Sequence, residues 1–257
     1  MPMQPSPLDR VALVLYQPQD VVNVAAIIRV MSNFGLSDLR LVEPAAFDPH
    51  RIAGIAHHTE PLIARTRRFP TLEAALADCG LTLGTTGRPR ETERQVLPPR
   101  AAAPMILDQA RTQRVAILFG PERDGLPNAA LDLCHGVITI PTHPFNRSLN
   151  LAQAALVIAY ELWMAWTQPN DGPAHRPPAA AAPPDATESL ATGAEREALF
   201  AAVDELLSAL YPGGSPGRRS SAAARLRALL LRAQPRREEA RALTNLLRHA
   251  ARTGRRS

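Results

Sequence analysis

The run from Ile138 to Trp166, ITIPTHPFNRSLNLAQAALVIAYELWMAW, constrains this chain more than any other. Val137 to Ile140 is β-branched throughout, as a buried strand requires. Pro141 and Pro144 then forbid continuation of either a ladder or a helix. Ser148 and Asn150 are both N-cap residue types and stand just before an apolar run. From Leu151 the apolar residues continue round nearly the whole circumference to Trp166, so this helix is expected to be buried on more than one face. A strand that feeds a polar turn into a helix N-terminus gathers several backbone N–H groups at one point. Such a point suits a small polar or anionic ligand, and a core helix with an ordinary cap is the alternative.

The rest of the chain alternates in the same way. Val11 to Leu15 (VALVL) reads as a buried strand, followed by the turn and cap signals Pro18 and Asp20. Val21 to Phe34 has helical apolar spacing with Asn23 and Arg29 among it, and Gly35 stands at a C′ position. Leu39 to Val42 is the second strand. Asp48 to Thr59 reads as a short helix and Thr71 to Cys79 as a clearer one, capped by Thr71 and stopped by Gly80. Leu81 to Leu83 is the third strand, running into Gly84-Thr85-Thr86-Gly87 and an Arg/Pro loop to Arg100. Val115 to Phe119 is the fourth, opening into GPERDG. Asn128 to Cys134 is a short helix, and Val137 to Ile140 is the fifth strand. Continuously apolar strands alternating with helices predict an α/β fold, a mostly parallel sheet covered by helices on both faces.

Beyond Trp166 the composition changes. Six prolines fall between Pro169 and Pro184, which reads as an extended linker. Three amphipathic helices are expected after it. The first carries Leu199, Phe200, Val203, Leu206, Leu207 and Leu210 and is stopped at Tyr211-Pro212-Gly213-Gly214. The second carries Leu226, Leu229 and Leu230, and the third, from Pro235, carries Leu243, Leu246 and Leu247. The expected organisation is a domain over 1–167, a linker over 168–194 and a small all-α module over 195–257. A core this small needs a docking partner to be fully stable. Charge divides along the same line. All 29 basic side chains are Arg; residues 195–257 hold 13 Arg against six acids, leaving about −2 on residues 1–194 because the whole chain is +5. A basic module on a near-neutral domain points to a polyanion, most often nucleic acid; a solvated arginine-rich surface is the alternative.

Other classes are excluded by what is missing. There is neither a G-x-G-x-x-G after the first strand nor a G-x-x-x-x-G-K-[ST], so ordinary nucleotide phosphate sites are unsupported. Cys79 and Cys134 have neither metal-ligand nor disulfide-framework spacing. His57 and His58 are adjacent and would point apart on a helix, so no metal is expected. His143, alone in the 141–150 turn, reads as a solvated loop residue. The opening MPMQPSPLDR has no signal pattern, and the helix ending at Trp166 holds Asn150, Gln153 and Glu161, so a cytoplasmic chain without a membrane span is expected.

Three loops follow three apolar strands: GTTGR after Leu83, GPERDG after Phe119 and PTHPFNRSLN after Ile140. In an open α/β sheet ligands sit at the carboxyl ends of strands, so these loops could surround one ligand. The set N-x5-R from Asn23 to Arg29, FGPERDGL from Phe119 to Leu126, and IP…SLNLAQAALVIAYE from Ile140 to Glu161 resembles, in order and spacing, the three motifs of the SpoU/TrmH branch of the SPOUT RNA methyltransferases. The ending AYELWMAW, the linker and the C-terminal helices are similar to the TrmJ subgroup, whose members methylate a ribose 2′-oxygen in the tRNA anticodon loop. Ala25, two positions after Asn23, stands where many relatives have Gly.

The resemblance implies a C-terminal deep trefoil knot, S-adenosyl-L-methionine as methyl donor, a homodimer with the RNA site at the subunit interface, and tRNA as substrate. Methylation of ribosomal RNA, or an RNA-binding protein that keeps the fold without catalysis, are the rival implications. By the same resemblance Thr85, Thr86, Gly87, Gly120, Ile140, Arg147, Ser148 and Leu149 would bind the donor. Arg29 matches the motif-one arginine, Asn23 would orient its loop, Glu122 would tie the Gly120 loop, and Ser148 and Asn150 would anchor the knot turn. Arg29 could serve as the base or, since a guanidinium normally stays charged, hold a phosphate or stabilise a developing alkoxide. Arg88, Arg123, Arg225, Arg232, Arg236 and Arg237 are the candidate RNA contacts.

Overall fold

The structure is a computed structural model that describes residues 6–87, 95–167, 189–211 and 216–254. Arg88, residues 168–188 of the expected linker and the expected helix stop at 212–214 lie outside the described residues. The seven strands are β1 (Val11–Tyr16), β2 (Asp38–Val42), β3 (Arg67–Phe69), β4 (Cys79–Thr85), β5 (Gln95–Leu97), β6 (Arg114–Phe119) and β7 (Gly136–Ile138). They form one sheet in the order β3-β2-β1-β6-β4-β7-β5, with every pairing parallel. Five are the strands expected from apolar runs. The other two, RRF and QVL, are three-residue edge strands that are mostly exposed, so they carry no apolar signature.

The helices of the first part are α1 (Val21–Asn33), α2 (Pro49–Ile55), α3 (Glu60–Arg65), α4 (Leu72–Leu76), α5 (Pro99–Ala110), α6 (Asn128–Leu131) and α7 (Leu151–Thr167). The single helix expected over Asp48 to Thr59 is instead α2 alone, with α3 starting at Glu60. Asp48 caps α2 through His50 and Arg51 N–H at 3.0 and 3.1 Å, and His58, at φ +62°, turns the chain between the two. The helix expected over Thr71 to Cys79 ends at Leu76 because Cys79 already opens β4. α5 lies beyond the Arg/Pro loop, where proline-rich punctuation hides an Ala-rich helix that begins on Pro99.

Period-two alternation explains how both faces of the sheet are buried. Val11, Leu13 and Leu15 of β1 with Val115, Ile117 and Phe119 of β6 point to α1, α5 and α7. Ala12, Val14, Ala116 and Leu118 point the other way, to α4 and α6. Strand β7 is laid between β4 and β5, which follow one another in the chain. The last strand therefore lies in the sheet between two strands that precede it.

One side chain breaks the expected apolar pattern. Arg40, in the middle of β2, is 1% exposed. Its guanidinium binds Asp38 at 2.9 Å and Asp78 at 2.5 Å, and Arg67 and Arg114 reach Asp38 at 2.8 and 2.7 Å. A buried cation survives only with such a set of partners.

The C-terminal module consists of α8 (Gly193–Leu210), α9 (Pro216–Ala233) and α10 (Arg237–Gly254). Helix α8 starts inside the stretch that composition assigns to the linker, because Thr192 and Glu195 form a capping box there. The module has the small core expected, Ala191, Leu199 and Ala240 with Leu230 and Leu247 against them, and it is docked. Leu190 N–H donates to Gln113 Oε1 at 3.1 Å and Ala194 N–H to the Ala77 carbonyl at 3.0 Å. Arg196, buried, donates to the carbonyls of Gly80 and Cys79 at 3.0 and 3.3 Å, where β4 is irregular. Among the described residues no helix is long and apolar enough to cross a membrane.

Candidate active site

The adjacent strands β6, β4 and β7 end at one level, and the three loops that leave them enclose a cavity of about 460 Å³. All eight expected donor-site residues line it: Thr85, Thr86 and Gly87 after β4, Gly120 after β6, and Ile140, Arg147, Ser148 and Leu149 after β7. Phe119, Leu126, Ile138 and Leu151 form apolar wall, and Glu122, Arg123 and Asp124 add charge. Thr86 N–H donates to the Ile138 carbonyl at 3.1 Å, and Thr85 Oγ1 to the Leu118 carbonyl at 3.1 Å, so β4's end is bonded to both neighbours. Two glycines let the loops close on each other. A Cβ on Gly87 would stand 2.7 Å from the Arg147 carbonyl oxygen, and one on Gly120 2.3 Å from Leu126 N.

A polar relay fixes the loop after β6 to the helices beside it. The Glu122 carboxylate accepts from Gln19 N–H at 2.9 Å, Asp20 N–H at 3.1 Å and Asn23 Nδ2 at 3.0 Å. Asn23 Oδ1 in turn accepts from Asn150 Nδ2 at 2.9 Å. Asn150 caps α7, its Oδ1 accepting from Ala152 N–H at 2.8 Å. Partial burial pushes the Glu122 carboxyl up, but these donors outweigh it and hold it below the ordinary glutamate range. Asn23, Glu122 and Asn150, separated widely in sequence, are therefore one unit. Ser148 stands on the cavity lining instead.

Arg29 is elsewhere. It lies roughly 9 Å along α1 from Asn23 at helical rise, is exposed, and does not line the cavity of its own chain. Its guanidinium donates to the His57 carbonyl in the turn before α3. It shares an exposed stripe of α1 with Val22, which is 42% exposed.

The expectation that α7 is buried on more than one face is corrected by the structure. Leu151, Ala155, Ile158, Ala159 and Leu162 are buried, but Leu156, Tyr160 and Trp163 form an exposed apolar stripe at spacings of four and three. Phe34 meets Tyr160 edge to face at 6.2 Å, which joins this stripe to the end of α1.

Of the candidate RNA contacts, Arg123 borders the cavity, and Arg225, Arg232 and Arg236 are exposed on the helical module. Arg237 is half-buried and bound to Glu195 at 3.2 Å, beside Arg241 at 3.0 Å. Arg227 binds Asp204 and lies over the Phe200 ring, and Arg248 binds Glu205. Part of the tail's positive charge is thus matched internally, which a charge count cannot reveal. Sequence reasoning also misses Arg196 and its neighbour His135. Burial, then the Arg196 charge, pushes the His135 imidazole down to about 3, and burial brings Arg196 to about 10. No group of His, Cys, Asp and Glu among the described residues could hold a metal.

This fold and cavity define a methyltransferase class. The family model for the SpoU rRNA methylase family matches residues 10–160, and the chain belongs to that family, with the trefoil knot of its fold. The tRNA (cytidine/uridine-2′-O-)-methyltransferase TrmJ of Citrobacter koseri is 37% identical over 64% of this chain and 68% of its own length. The protein of the same name from Escherichia coli is 36% identical over 63% and 67%. A crystal structure of TrmJ from Z. mobilis ZM4 superposes with a TM-score of 0.75 at 33% identity, covering 92% of this chain and 96% of that one.

Proposed function

We propose that this chain transfers a methyl group from S-adenosylmethionine to the ribose 2′-hydroxyl of a cytidine or uridine in the tRNA anticodon loop. The observation that carries the reading is the convergence of three distant motif loops on one cavity at the carboxyl ends of β6, β4 and β7. The residues there fit the donor. Phe119, Leu126, Ile138 and Ile140 suit the faces of an adenine, the backbone and hydroxyls of Thr85, Thr86 and Ser148 suit its polar edges, and Glu122 and Asp124 suit a cation. When bound, S-adenosylmethionine supplies an electrophilic methyl on a sulfonium, which an attacking 2′-oxygen takes with departure of a neutral thioether. The protein's part is to hold the acceptor in line and to manage its proton. The relay from Asn150 through Asn23 to Glu122 keeps the loop after β6 in place against the helix starts. The Arg29 guanidinium holds the adjacent phosphate or stabilises the oxygen as it sheds its proton.

The proposal includes a homodimer. Arg29 binds the His57 carbonyl and does not line its own cavity, and the stripes on α1 and α7 leave Val22, Leu156, Tyr160 and Trp163 exposed. Pairing two copies through these stripes buries them and brings Arg29 to the cavity of the second copy. The exposed Arg225, Arg232 and Arg236 then add phosphate contacts, so tRNA affinity falls steeply with salt. A cytoplasmic setting accords with a nucleic-acid substrate. The test is transfer of labelled methyl to unmodified tRNA and, separately, to ribosomal RNA: label in tRNA is expected, and label only in ribosomal RNA overturns the substrate.

A further inference from the structure

The turn between β7 and α7 carries an aromatic ring that the fold does not use. Phe145 is 96% exposed, although it stands on the rim of the donor cavity. Of the other exposed apolar side chains near the site, Leu149 also lies on this turn but is only 36% exposed, and the rest are on the α1 and α7 stripes. Leaving a whole phenyl ring in water forgoes the burial it would otherwise contribute. The ring is nevertheless held. His143 lies beside it with centroids 5.4 Å apart and planes at 22°, and Phe145 N–H donates to His143 Nδ1 at 3.4 Å. The pair is an offset stack with the outer face of Phe145 open. Arg123 and Arg147 line the same cavity, where their charge suits phosphates on either side of one nucleotide.

The reaction dictates what arrives at that rim. The acceptor hydroxyl must reach into the cavity, and the base is joined to the ribose carbon next to it, so the base remains at the mouth. A base in an anticodon loop is unpaired and offers a bare π-face. We infer that Phe145, backed by His143, is the platform on which the base of the target nucleotide stacks while its ribose enters the cavity. This inference rests on the methyltransferase reading above. Stacking tolerates different bases because each has a π-face, which suits an enzyme accepting both cytidine and uridine.

The test uses the full chain and an anticodon stem-loop with fluorescent pyrrolocytidine at the methylated position, mapped first on whole tRNA. Wild type and Phe145→Tyr quench the fluorophore; Phe145→Leu, apolar but without a ring, does not. KM for tRNA rises about tenfold to hundredfold in Phe145→Leu, while donor affinity by calorimetry and the mass in sedimentation stay as in wild type. Unchanged quenching and KM in Phe145→Leu overturn the platform. Lost donor binding in that variant assigns the ring to the donor site, and a lower mass assigns it to the contact between copies; either also overturns it. Wild type that methylates neither tRNA nor ribosomal RNA overturns the methyltransferase reading itself, whereas an active wild type with an unaffected Phe145→Leu overturns only the platform.

Discussion

The two ends of the sheet handle polar groups in opposite ways. At the amino ends, Arg40, Arg67 and Arg114 converge on Asp38, Arg40 and Arg114 also bind Asp78, and Arg196 caps the free carbonyls of Cys79 and Gly80. The charges there bind one another, and the helical module seals that end. At the carboxyl ends the polar groups of β4, β6 and β7 face a cavity, and the arginine expected to act there is bound to the His57 carbonyl instead of lining it. The closed end provides stability and the open end provides chemistry. Substitutions at each end are therefore expected to separate the two properties.

The largest expected effect is on the reaction alone. Arg29→Ala lowers methyl transfer by about 100-fold or more, on the scale of losing one electrostatic contact to a transition state. It shifts stability by no more than about 0.5 kcal/mol, as an exposed helix residue should. Steady-state rates with thermal melts check this, and wild-type turnover in the variant removes Arg29 from the mechanism. Next, Arg40→Ala removes the one fully buried cation of this cluster, leaving Asp38 and Asp78 to the partly exposed Arg67 and Arg114, and costs about 3 kcal/mol of stability. Denaturant melts measure that loss, and donor affinity of the folded variant is expected to stay at the wild-type value.

The relay lies between these extremes. Asn150→Ala removes the α7 cap and the bond to Asn23, at a cost of about 1 kcal/mol, and lowers transfer further than that cost predicts because the loop after β6 loses its anchor. Melts and rates on the same preparation separate the two effects. Glu122 is held below the ordinary glutamate value of 4.5, so its tether persists as pH falls through 4.5 and fails only below that.

The smallest expected effect near neutral pH belongs to the closed end and grows only on acidification. His135 is depressed to about 3 in the fold against 6.5 when free, so the unfolded chain binds the extra proton between those values. Its contribution is complete above pH 6.5 and is lost as pH falls toward 3, at up to ~1.4 kcal/mol per pH unit. Melts between pH 6.5 and 5 detect the slope, and His135→Gln is expected to flatten it.

What was legible in the sequence follows the same division. Apolar runs reveal the central strands and helices such as α1 and α7, though not α5, and the motif loops reveal the cavity lining, because both are local patterns. The edge strands β3 and β5 lack such a pattern, being exposed and only three residues long. Arg40 reads as a flaw in an apolar strand until Asp38, Asp78 and Arg114 are seen to meet it, and no spacing rule links those positions. The relay of Asn23, Glu122 and Asn150 was suggested residue by residue through resemblance, but its bonding as one unit is tertiary. The tail's charge excess is plain from composition, yet a count cannot separate Arg225, exposed on α9, from Arg237 and Arg241, which bind Glu195.

The most direct test of the open end is to map the methyl that this chain places on unmodified tRNA. Digestion to nucleosides after transfer from labelled S-adenosylmethionine is expected to release 2′-O-methylcytidine or 2′-O-methyluridine from the anticodon loop. Label recovered on a base, or in nucleosides from elsewhere in the tRNA, would contradict the account of how this cavity is used.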